Sequence, residues 1–140
     1  MLEQKLIKFI KEKSKKIGRR LNLSPIRIEI LLDYDNCGAC YSTDTIMIGL
    51  KHINRFKDKN FHIETVPPDN FLNRIYFIIA HENAHFLQYY KFPKWQEKYR
   101  KEYRSFLPIK FYAEQKIEKN ASKIANILLK EYKKENKNVR

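Results

Sequence analysis

The sequence predicts an α+β fold, with an N-terminal helix, a small sheet of two or three strands, and then further helices. Three observations predict it. Apolar residues recur every three or four positions in 2–17, 71–87 and 117–129, they alternate in 26–32, and these stretches come in separate blocks. Of the 140 residues 43% are hydrophobic and 14% aromatic, enough for a core. No repeat and no Gly/Ser linker divides the chain, so a single domain over 1–140 is expected.

The first helix carries Leu2, Leu6, Phe9, Ile10 and Ile17 on one face with lysines between, and its stop is expected near Gly18. After Pro25, Ile26, Ile28, Ile30 and Leu32 alternate with Arg27, Glu29, Leu31 and Asp33, the pattern of a strand with one buried face. Asp35-Asn36-Cys37-Gly38 is turn chemistry, and a second β segment is clearest at Thr45–Leu50. The polar stretch from Lys51 to Pro68 reads as a loop. Asp69 or Asn70 caps a long helix reaching about Tyr90, with Phe71, Leu72, Ile75, Ile78, Ile79, Phe86 and Leu87 on its apolar face. Pro93 ends it, a polar helix follows over 94–106, and Leu107-Pro108 breaks the chain again. A last helix runs from about Ile109 to Tyr132, leaving a basic tail over 131–140 that is frayed or inhibitory.

Net charge is +13, from 29 Lys and Arg against 16 Asp and Glu. Nucleic acid is therefore a partner to weigh, but the charge is spread along the chain. Residues 1–20, the basic N-terminal helix, hold eight basic and two acidic groups. No apolar run approaches the roughly 20 residues that cross a bilayer. The lysine-studded N-terminus lacks a signal-peptide core, and two cysteines make no disulfide scaffold, so a reducing cytoplasmic setting is expected.

The chemistry lies in His81-Glu82-Asn83-Ala84-His85. On a helix, two histidines four apart stand one above the other, so both imidazoles can reach one metal ion. Glu82 is turned about 100° from His81, placed to handle a water at the metal without ligating it. With four histidines in the chain, a shuffled sequence would show this pattern less than about once in a hundred times. A catalytic zinc takes three protein ligands and leaves one position open. No histidine follows His85, no aspartate follows Asp69, and both cysteines lie upstream, so a downstream ligand must be a glutamate. Glu114 and Glu118 stand one turn apart on the final helix. Glu118 precedes Ala121 and Ala125, small residues that allow close helix approach, and is the expected ligand. Glu114 is the alternative, or a partner outside the ligand set.

His81-Glu82-x-x-His85 followed by Glu118-x-x-Ala121 on a later helix resembles the gluzincin clan of zinc metallopeptidases. The small size is similar to that of the minigluzincins and the ImmA/IrrE-type peptidases. Gly38–Tyr41 leading to Thr45–Ile48 looks like the strand pair those proteins place before the motif helix. Asn83 stands where a bulky apolar residue is usual. SprT-like proteases take a histidine as third ligand, and none is available here.

The resemblance implies a minimal zincin fold, one Zn2+ per chain, and a metalloendopeptidase acting on a peptide or protein substrate. Glu82 would serve as general base and acid, and the enzyme would be latent if the basic tail lies over the cleft. Tyr112, Tyr41 and His52 are the candidate transition-state stabilisers. Residues 45–50 would be the sheet edge that pairs with substrate, or a core hairpin strand. The alternative function is a basic nucleic-acid-associated protein with a structural metal. Either reading leaves a homodimer open. Cys37-x-x-Cys40 reads as a turn, with a redox-labile disulfide as the rival.

Overall fold

A computed structural model describes residues 3–63, 65–104 and 116–138, with the side chains of all of these except 99–104 and 138. The fold is α+β. The elements are α1 (Glu3–Arg20), β1 (Arg27–Leu31), β2 (Cys37–Cys40), β3 (Thr45–Gly49), α2 (Leu50–Arg55), α3 (Phe71–Lys91), α4 (Pro93–Arg104) and α5 (Lys116–Asn138). Among them no helix is long and apolar enough to cross a membrane.

α1 buries Leu6, Ile10, Ser14 and Ile17, one stripe at helical spacing, while its lysines face outward. Gly18 lies inside the helix. The stop comes at Asn22, whose left-handed φ of 56° lets the NH groups of Leu21 and Leu23 close on the carbonyls of Ile17 and Gly18.

The sheet order is β1-β3-β2, with β1 parallel and β2 antiparallel to β3. β3 is therefore central, paired on both sides, and Ile46 and Ile48 are fully buried. Residues 45–50 are not a free edge, and the edge bordering α3 is β2. The Cys37–Cys40 turn reading is likewise corrected, because these four residues form β2 through backbone pairing to Thr45–Ile48. Nothing in Cys-Gly-Ala-Cys favours a strand locally. The pairing capacity of β3 recruits it. Two cysteines three apart on a strand point to opposite faces, so both thiols are free. Gly49 ends β3 where a Cβ would lie 2.0 Å from the Tyr34 carbonyl, so no other residue fits.

The 51–68 segment is not all loop. α2 occupies its start, burying Leu50 and Ile53, with Phe56 just beyond. Arg74 of α3 pins this corner by donating to the carbonyls of Phe61 and Phe56.

α3 is the axis of the molecule, with α1, β2 and α5 packed around it. The Asn70 side chain caps it, accepting from the Asn73 NH at 2.9 Å. Pro93 opens α4, where a missing NH costs nothing. Ala121 and Ala125 are fully buried, and α5 comes close to α3 along that seam. The tail is corrected too. Residues 131–138 continue α5, held by Glu131 to Arg20 at 2.9 Å, by Lys133 to Asp69, and by Tyr132 stacked on Tyr76. Glu131 is about 20 Å along the helix from Glu118, so this part of the tail does not cover the motif.

Candidate metal centre

His81 and His85 lie one turn apart in the middle of α3, and Glu118 stands in the first turn of α5. Their side chains converge. His81 Nε2 is 3.2 Å from His85 Nε2 and 3.1 Å from Glu118 Oε2, and His85 Nε2 is 3.0 Å from that same oxygen. All three residues are buried, Glu118 completely.

The outer nitrogens decide what these atoms offer. Gln88 Nε2 donates to the Ile117 carbonyl at 2.9 Å and to Asn120 Oδ1 at 3.0 Å. A backbone carbonyl only accepts, so the amide orientation follows, and Gln88 Oε1 faces His85 Nδ1 at 2.9 Å. His85 Nδ1 is therefore the N–H, leaving the Nε2 lone pair pointing inward. Ser122 Oγ stands 3.3 Å from His81 Nδ1 and can hold His81 in the same tautomer. Two nitrogen lone pairs and a carboxylate facing one another require positive charge between them, a proton or a metal ion.

The spacing suits a metal. Ligands about 2.0–2.1 Å from a tetrahedral zinc lie about 3.3 Å from one another, close to the 3.0–3.2 Å seen here. The residues fit the ion in number, type and orientation. Without the ion, the electrostatics favour a proton shared within this cluster. Burial pushes the Glu118 carboxyl upward, but the hydrogen bonds from His81 and His85 outweigh it and hold it well below the usual range. Burial alone would lower the His85 pKa, yet Glu118 raises it to about 9.

Glu82 is buried beside His81 and His85 without belonging to the ligand triangle, and burial raises its pKa more than those two histidines lower it. With His81 it lines a cleft of about 100 Å³ that also takes in Cys37 and His52. The sequence-predicted helpers divide here. His52 faces the cleft, with Nδ1 3.7 Å from Asp35 and its pKa lowered by burial. Tyr41 does not, since its ring stacks on Tyr89 and its hydroxyl accepts from Gln96. Tyr112 and Glu114 lie outside the described residues. Cys37, at the cleft wall, has its thiol pushed up to about 12, chiefly by burial. That makes it a poor nucleophile.

Sequence reasoning missed Gln88 and Ser122. Their signal is helical spacing, Gln88 three residues after His85 and Ser122 four after Glu118, which puts each on its ligand's face. Replacing Gln88 by leucine is expected to weaken zinc binding about 10–100-fold, as removal of such orienting partners does. Competition against a chromophoric chelator measures it, and unchanged affinity would show that His85 needs no such support.

No family model, no curated protein and no solved structure matches this chain.

Proposed function

We propose that this protein is a zinc-dependent metalloendopeptidase of gluzincin type. The observation that carries the reading is the convergence of His81 Nε2, His85 Nε2 and a Glu118 oxygen within 3.0–3.2 Å, with Glu82 beside them. His81, His85 and Glu118 hold one Zn2+. The chemistry a zinc ion would supply there is polarisation of a peptide carbonyl and a lowering of the pKa of water toward about 7. Glu82 takes that water's proton and delivers it to the leaving amine, and its raised pKa suits a group that must hold a proton between the two transfers. His52, which lines the same cleft as His81 and Glu82, is the group that donates to the developing oxyanion in this reading. Substrate is a peptide or an extended protein segment. The setting is the cytoplasm, in keeping with two free cysteines on opposite faces of β2.

Metal-free protein titrated with zinc is expected to take up one ion per chain and then to hydrolyse an unfolded protein substrate. The ligand form of His85 is neutral, while its pKa without metal is about 9, above the ordinary 6.5. Zinc must therefore displace a proton, and its apparent affinity should rise as pH climbs from 6.5 toward 9. No uptake at any pH would leave His81 and His85 as packing residues and favour the basic, nucleic-acid-associated alternative. Zinc uptake without hydrolysis would point to a structural metal.

A further inference from the structure

Asn83 lies two residues from each metal-site histidine, about 200° around α3, so it faces away from them. It is 1% exposed. Its Nδ2 donates to Ser14 Oγ at 3.1 Å and to the Ile79 carbonyl at 2.9 Å. Its Oδ1 is buried without a hydrogen-bond partner. Asn83 belongs to the lining of a cleft of about 410 Å³ between α1 and β1. Such a volume is within the range of small-molecule sites, roughly 300–1,000 Å³, and far above the roughly 30 Å³ of one water.

The rest of the cleft has a definite chemistry. One wall is apolar, made by Leu23, Ile26 and Ile28. The rim carries Lys11, Lys15 and Arg19, four residues apart in one row of α1, and none of the described lining residues is acidic. Gly18 keeps the space open. A Cβ there would stand 3.8 Å from Asn83 Oδ1, so a larger side chain at 18 would enter the cleft. Glycine within a helix is unfavourable to the helix itself, and here, in the last turn of α1, it leaves room beside Asn83.

From these features we infer that the α1–β1 cleft binds a small anionic amphiphile, with an apolar body, a hydrogen-bond donor for Asn83 Oδ1 and a negative end for Lys11, Lys15 and Arg19. The site is separate from the metal centre and does not depend on it. 8-Anilinonaphthalene-1-sulfonate has that chemistry, with two aromatic groups, one N–H and a sulfonate, and serves as the probe on the folded full chain. One saturable fluorescent site per chain is expected. Gly18→Leu should abolish it with the near-ultraviolet circular dichroism unchanged. The double substitution Lys15→Glu, Arg19→Glu, at exposed positions, should weaken it at least tenfold. N-Phenyl-1-naphthylamine, which keeps the body and the N–H but has no charge, should bind the wild type at least tenfold more weakly than the sulfonate. Absence of saturable binding to the wild type overturns the inference, as does unchanged binding by Gly18→Leu. Should Gly18→Leu fail to fold, unchanged affinity in the charge-reversed protein overturns it instead.

Discussion

Glu118→Ala is expected to lower zinc affinity by more than about 100-fold, beyond the 10–100-fold that loss of a partner outside the ligand set costs. Glu118 is the one carboxylate among the described residues that meets both histidines, and it is fully buried between them. Without it, two imidazoles remain, too few to hold zinc against water. Metal content by elemental mass spectrometry, with a competition titration, makes the measurement. Glu114→Ala is the control and should keep full occupancy. If Glu114→Ala loses zinc and Glu118→Ala keeps it, the ligand is Glu114. The metal-free protein carries a second signature. The Glu118 carboxyl is held below its ordinary value of 4.5 in the fold, so its contribution to stability is present above that pH. It is lost as pH falls from there through the folded pKa, and Glu118→Gln should remove this acid sensitivity.

Glu82→Gln is expected to keep one zinc per chain while lowering kcat about 10²–10⁴-fold on any peptide that the wild type cleaves. Glutamine has the shape of glutamate but cannot carry the water proton. Glu82 is turned about 100° from His81 and about 60° from His85 and is not one of the three converging ligand residues, so exchanging it leaves the ligand set intact. Burial raises the Glu82 pKa, so the ionised form opposes folding at neutral pH, and a neutral side chain there should leave the metal-free Tm equal or higher. A loss of turnover at full zinc occupancy and undiminished Tm therefore isolates the proton transfer. Undiminished hydrolysis at full occupancy would assign the base to another group, with His52 the next to test because it lines the same cleft.

Much of the candidate metal centre was legible because its information is local. A helix of strong apolar period puts residues 81 and 85 on one face whatever surrounds it. Absence did the rest, since a chain with no histidine, aspartate or cysteine after the motif can offer only glutamate from its C-terminal side. The small residues Ala121 and Ala125 marked the seam along which α5 approaches α3. Where the sequence misled, the deciding contacts were remote in the chain. β2 is a strand because β3 has an unpaired side to offer, and Cys-Gly-Ala-Cys by itself has turn composition. α2 depends on three apolar residues in a polar stretch, stabilised by a core made elsewhere.

The sequence by itself determined that two histidines and a glutamate would share one turn of helix, and that any downstream third ligand would be a carboxylate. Those are consequences of helical period and composition, which need no neighbours. Only the tertiary structure decided that Glu118 is the carboxylate that meets both histidines among the described residues, that Gln88 turns the His85 lone pair inward, and that Asn83 lines a separate cleft. Each of these depends on which side chains meet across helices far apart in sequence, and close packing between elements alone selects those partners.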